Sequence, residues 1–246
     1  MLEHLLRAKR VDAPGTIAPL PRPLAVGLSA WNFATLAGWF AFPFVAAGTA
    51  RSPVLWAHAA VLMGGLLVHG RWVARRNPEI LRRRRRIGGD TKRWDLAWVA
   101  AFWPLMASIA VVAGGDHAAH GGPTLPAAAW PAGLAGFAAA LAVSARAMAA
   151  NPYFEGTVRI QRDVRQRVVD AGPYRLVRHP GYVGLAGWAL ASPLLLLSAR
   201  AFAPAVAAAA WVALRTALED RTLRRELDGY AEYARRVRWR LVPGLW

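Results

Sequence analysis

Six apolar stretches separated by polar segments constrain this chain more than any other feature. They run roughly over 24–48, 53–70, 95–114, 127–149, 182–198 and 201–218. A helix needs about 20 mostly apolar residues to cross the hydrocarbon core of a bilayer. The reading is therefore an all-α, polytopic transmembrane helix bundle of about six spans. The last two are short and joined only by "SAR", which predicts a tight helical hairpin whose arms tilt or stop short of a full crossing. Pro43, Pro104, Pro193 and Pro204 fall inside these runs, which a bundle tolerates because neighbouring helices satisfy the freed carbonyls.

Charge is segregated with equal clarity. The chain has 31 Lys and Arg against 14 Asp and Glu, a net charge of +17, although 56% of its 246 residues are hydrophobic. A soluble globule does not combine these values, whereas a membrane protein with charged loops does. The basic residues cluster between apolar runs instead of forming one surface stripe, which argues against nucleic acid as a partner. Arg71, Arg75, Arg76, the run 82–86, Lys92 and Arg93 fill one loop, Arg159 to Arg178 another, and eight arginines from Arg215 onward the tail. The intervening loops hold only Arg51 and Arg200. The bias of Lys and Arg toward cytoplasmic loops then places both termini, and the segments 70–94, 151–181 and 215–246, on the cytoplasmic side. Cysteine is absent, which excludes disulfides, thiolate metal sites and a cysteine nucleophile. The N-terminal residues 1–23 read as a cytosolic segment, not a cleaved signal peptide, for want of a short apolar core and a small-residue cleavage site. No repeat of fixed period is visible, and one integral domain over 1–246 is the simplest organisation.

Two segments stand out chemically. "GPYRLVRHPGYVG", residues 172–184, places Arg178, His179 and Tyr182 at the mouth of the fifth span, with Pro173 and Pro180 fixing turns and Gly172 and Gly184 permitting close backbone approach. By itself it reads equally well as a juxtamembrane turn. In the tail, Arg215 and Glu219, and Asp220 and Arg224, are four apart and share helical faces. Glu219 and Asp220 sit at the end of the sixth span, where carboxylates are costly toward lipid and useful toward a cavity. Gly229 divides this helix from a second amphipathic one, "YAEYARRV", before "RLVPGLW" ends the chain in extended form. The tail reads equally well as an interfacial helix anchored by Trp239 and Trp246.

Together, in this order and spacing, the segments closely resemble the isoprenylcysteine carboxyl methyltransferase family and its phospholipid methyltransferase relatives. The likeness covers roughly 151–246, a catalytic-type core; "RRNPEILRRRRRIGGDTKRWD" and "NPYFEGTVRIQRD" resemble segments of bacterial members. The resemblance implies a membrane methyltransferase that uses S-adenosylmethionine, needs no metal, and resides in a bacterial inner membrane. It implies that Gly172, Pro173, Tyr174, His179, Pro180, Tyr182 and Gly184 form a cofactor loop, with His179 and nearby backbone amides meeting the methionine end. Glu219 and Asp220 would accept hydrogen bonds from the cofactor's ammonium or hydroxyls, and Tyr230 and Tyr233 would close over it. Arg178 and Arg236, the latter in an alignment that Arg238 or Arg240 can also take, match arginines that lie near the methyl acceptor. With Glu219, they are the candidate catalytic residues. The acceptor implied is a small or lipid-like carboxylate, thiol or amine. The acidic pair is Glu-Asp where eukaryotic members have Glu-Glu, and the tail is longer than theirs.

Two other readings compete. Sterol-reductase-like membrane enzymes using NADPH are similar in their own "RHPxYxG" and tyrosine-containing tail, but carry more spans and a cysteine. A non-enzymatic membrane protein retaining the scaffold is the other. The remaining polar groups carry less. Asp116, His117 and His120 lie in a glycine-rich segment away from the motifs, so a metal site there is disfavoured. His58 and His69 share one helix face and read as bundle-facing polar residues. Arg146 reads as snorkelling to the interface, the run 82–86 as a topological and headgroup signal, and Asn151 and Pro152 as the end of the fourth helix.

Overall fold

The computed structural model describes residues 38–78, 80 and 91–246. The N-terminal segment, the first part of the first apolar run and the arginine run 82–86 lie outside the described residues. Among the described residues we number seven α-helices, α1 (Gly38–Ala47), α2 (Pro53–Arg76), α3 (Arg93–His120), α4 (Trp130–Ala150), α5 (Pro180–Leu195), α6 (Phe202–Glu226) and α7 (Tyr230–Arg236). No strand occurs among the described residues. The all-α polytopic bundle expected from the hydropathy pattern is what the chain adopts.

Local chemistry marks the boundaries. Ser52 caps α2, its side chain accepting from the Leu55 amide, and Pro53 occupies the first turn, where its missing N–H costs nothing. Gly121 ends α3 with φ of 70°, and Gly229, with φ of 78°, separates α6 from α7, both in the left-handed region that glycine adopts without strain. Pro180 begins α5 in the same manner as Pro53 begins α2.

Among the described residues, four stretches have the length and apolarity of membrane spans: Pro53–Arg76, Arg93–His120, Ala127–Ala150 and Phe202–Glu226. The expected hairpin is present but asymmetric. α5 has 16 residues, about 24 Å at 1.5 Å per residue, less than the ~30 Å of a hydrocarbon core. The sixth helix is instead long, continuing past residue 218 to Glu226. Its Leu, Arg and Glu residues are good helix formers, so helicity outlasts hydropathy. The end of the chain also differs from the extended form expected. Backbone N–H groups of Arg240, Leu241 and Val242 donate to the Trp246 carbonyl, which folds 240–246 into a turn.

The helices pack through small residues and aromatic rings. A Cβ at Gly133 would lie 2.8 Å from Leu194 Cβ, one at Gly184 2.6 Å from the Ala140 carbonyl, and one at Gly114 2.2 Å from the Pro43 carbonyl. Small residues allow this closeness, which dispersion rewards where lipid removes the hydrophobic drive. Between α3 and α6, the Trp98 indole N–H donates to the Trp211 carbonyl at 2.8 Å and Trp211 returns a bond to Trp98 at 3.3 Å. Trp39, Phe102, Met106, Phe137, Leu195 and Val212 fill the centre, while Trp56, Leu67, Val68, Val206 and Leu214 are exposed on helices of spanning length.

At one end of the bundle, the buried Asp116 carboxylate accepts from Thr124 Oγ1 at 2.6 Å and Ser198 Oγ at 2.7 Å, binding the α3–α4 loop to the α5–α6 hairpin. His120 Nδ1 lies 3.2 Å from Asp116. At the other end meet the end of α2, the start of α3, the segment 151–179 and the tail. There Asn77 donates to Met148 and Asn151 carbonyls, and Lys92 pairs with Glu226 at 2.8 Å. Arg146 is exposed near the same end of α4.

Gly133→Val is expected to cost about 1–3 kcal/mol through overpacking and to lower the thermal midpoint in detergent. Gly136→Ala, whose Cβ would stand 3.4 Å from Ala191 Cβ, should leave that midpoint nearly unchanged.

Candidate functional site

The segment joining α4 to α5 has little regular structure, so its backbone must find partners elsewhere. It is tied down side chain by side chain. Arg159 pairs with Glu155 at 2.8 Å and Asp163 at 2.9 Å, and the Glu155 bond in particular raises the arginine pKa above its ordinary value. Gln161 donates to the Tyr153 carbonyl at 2.6 Å and its amide to Gln166 Oε1 at 2.8 Å. The segment thereby arches over a cavity of about 200 Å³. Tyr182 from α5, Arg215 and Glu219 from α6, and Tyr230 and Tyr233 from α7 line its other walls. Ser144 and Leu185 line it from the bundle, and Arg159 and Gln161 from the arch. The opening motif and the tail, far apart in sequence, face one volume.

The two adjacent carboxylates differ. Asp220, 1% exposed, accepts from Arg178 Nε at 2.7 Å and Nη2 at 3.2 Å, Tyr230 OH at 3.0 Å, Arg224 Nε at 3.0 Å and Arg240 Nε at 3.1 Å. His179 Nε2 adds a contact at 3.4 Å. Its acceptor capacity is consumed by protein. Glu219 accepts from the Tyr182 hydroxyl, and His179 Nδ1 lies 3.9 Å from its carboxylate. Of the pair, only Glu219 lines the cavity, and it does so with acceptor capacity to spare.

The other expected site residues divide between the cavity and its supports. Tyr174 lines the cavity, its hydroxyl accepting from Asn151 Nδ2 at 3.2 Å and its carbonyl from the Tyr233 hydroxyl at 2.8 Å. Burial raises the pKa of Tyr174, Tyr230 and Tyr233, and the Asp220 carboxylate raises that of Tyr230 further. The Tyr230 and Tyr233 hydroxyls stay protonated as donors, to Asp220 and to the Tyr174 carbonyl. His179 is held between Tyr230 OH at 3.2 Å and Asp220, its ring stacked on Tyr182 with centroids 5.8 Å apart. Gly172, with φ of 56°, and Pro173 open a short 3-10 turn. Pro180 opens α5, and Gly184 lets α5 meet α4. These four shape the loop without lining the cavity.

Three expectations meet different geometry. Arg178 lines the cavity edge, but its donors go to Asp220 and to the Val237 and Arg238 carbonyls at 2.7 Å each; it fastens the tail. The backbone amides of Arg178 and His179 donate to the Trp239 and Arg240 carbonyls at 2.9 and 3.0 Å, so they serve the same docking. Arg236 is exposed and pairs with Asp170 at 3.0 Å outside the cavity. Arg240, one of the alternatives to it, instead reaches Asp220. Two residues at the cavity were not singled out as a site: Arg215, which lines it, and Asp95, which pairs with Arg215 at 2.8 Å. The available signal was a charge at the polar end of each of two spans, facing one another only after packing.

Residues 133–225 match the model of the Isoprenylcysteine carboxyl methyltransferase (ICMT) family. This segment contains the arch, the 172–184 motif, Arg215, Glu219 and Asp220, and stops before Tyr230. With the four helices of membrane-spanning character, the match supports an integral-membrane methyltransferase. No curated protein and no solved structure gives a significant match.

Asp220→Ala would leave Arg178 buried without its carboxylate. The expected cost is about 3–5 kcal/mol, read as faster proteolysis after Arg235 or Arg236 and a lower thermal midpoint.

Proposed function

We propose that the chain is an S-adenosylmethionine-dependent methyltransferase of the membrane, with residues 1–246 as one integral domain and the cavity end of the bundle facing the cytosol of a bacterial inner membrane. The observation that carries this reading is the confluence of Glu219, Tyr174, Tyr182, Tyr230 and the arch 155–161 on one cavity, within a segment of ICMT-family sequence.

The residues suit a cofactor bearing an ammonium, hydroxyls and a sulfonium. Glu219 offers carboxylate acceptors to the cationic and hydroxyl-bearing parts, and the Tyr182 hydroxyl fixes its orientation. Both are half-buried beside aromatic rings, which lowers the local dielectric and strengthens attraction for a cation. S-Adenosylmethionine, when bound, supplies a methyl group activated by its sulfonium for in-line displacement. What the chain contributes is alignment of two reactants and exclusion of water, which can account for much of such a rate enhancement. A carboxylate acceptor needs no general base, whereas a thiol or amine must lose a proton. An apolar acceptor reaches the cavity from lipid along Ser144 and Leu185, and the polar cofactor from the aqueous side along the arch.

Equilibrium binding of labelled S-adenosylmethionine to purified protein tests this. Binding is expected in the wild type, unaffected by excess NADPH, and weakened about tenfold or more in Glu219→Gln. A folded wild type that binds none, or from which NADPH displaces the label, sinks the reading.

A further inference from the structure

We propose that Arg215, paired with Asp95, is a positioning residue that holds the arch at the height over the cavity required for binding. The ligand used in the test rests on the methyltransferase reading; the positioning role itself rests on geometry.

Asp95 stands in the first turn of α3 and is fully buried. Its Oδ2 accepts the Val158 amide at 2.7 Å and Arg215 Nη2 at 3.0 Å, while Arg215 Nε lies 2.8 Å from Oδ1. Arg215 Nη2 also donates to the Gly156 carbonyl at 2.9 Å, and the Lys92 amide donates to the Val158 carbonyl at 3.0 Å. Backbone groups of the arch, left without a ladder by its irregular course, thus terminate on an ion pair that bridges α3 and α6. The guanidinium also lies over Trp98, 4.3 Å from its centroid, and over Tyr182 at 5.4 Å. Tyr182 is the ring whose hydroxyl holds Glu219. Arch, α3, α5 and the free carboxylate therefore share one support.

Neither partner is stable there alone, since a buried charge without its counter-charge is strongly disfavoured. Arg178 cannot substitute, because its donors are committed to Asp220 and the tail, and Arg236 is on the surface.

The test uses the full chain in detergent, with Asp95→Asn, Arg215→Met, Arg215→Lys and the Asp95→Asn/Arg215→Met double variant. Amide exchange over 154–161 and equilibrium binding of labelled S-adenosylmethionine are measured on each. The expected result is faster exchange at Val158 and affinity reduced about tenfold in either single variant, with the double variant no worse than the worse single one. Arg215→Lys keeps the charge without the two-headed fork, and carries the test if Arg215→Met fails to fold. Unchanged exchange overturns the proposal, and so does faster exchange with full affinity. If the wild type binds no S-adenosylmethionine, the methyltransferase reading falls, and exchange alone decides whether the pair holds the arch.

Discussion

The buried carboxylate of Asp220 is the interaction on which the cavity end of this molecule depends. An ionised carboxylate removed from water is tolerable only when paired and hydrogen-bonded. Asp220 meets that condition by drawing in Arg178 from the loop before α5, Arg224 from its own helix, Tyr230 from α7 and Arg240 from the tail. The requirement of one charge gathers four parts of the chain. The tail acquires its place from that gathering and from the packing of Tyr230, Tyr233 and Ala234 against Val168, Leu223, Leu227 and Val237. The backbone bonds from residues 178 and 179 to residues 239 and 240 add direction to it.

The bilayer imposes the complementary constraint. Helices must cross it, and the loops that join them fall alternately on two sides, so the ends of α2, α4 and α6 and the starts of α3 and α5 are brought to one side. Irregular backbone such as the arch is viable there because it is buried in protein and meets polar partners, a condition the hydrocarbon region enforces strictly. The two ends of the bundle resolve their polar groups differently. Asp116 accepts two hydroxyls at Oδ2 and closes loops together, whereas Glu219, next to the saturated Asp220, remains open to a cavity.

Much of the fold was legible in the sequence because hydropathy over windows of about 20 residues reports directly on membrane burial. Runs near 53–70, 95–114 and 127–149 correspond to α2, α3 and α4. Helix ends were less legible: α6 continues to Glu226 because helix propensity and ion pairing take over where apolarity stops. The division of α6 from α7 at Gly229 was readable, since a glycine in a charged helical pattern marks a left-handed turn. The turn at 240–246 was not, because it is closed by backbone bonds to the terminal carbonyl that no side-chain pattern announces.

For the site, the sequence by itself determined which residue types lie at the polar end of the bundle: the 172–184 motif, the Glu219–Asp220 pair, and the tyrosines of the tail. Residue spacing carries that information because the spans deliver their ends to a common side. Tertiary structure alone decided how the charges were distributed. It assigned Arg178 to hold the tail, placed Arg236 on the surface, separated Glu219 from Asp220 in role, and joined Asp95 to Arg215 across 120 residues of chain. Pairing among buried charges depends on distances of a few ångström between helices, which are set by packing of small residues and aromatic rings, and a linear order of residues does not encode them.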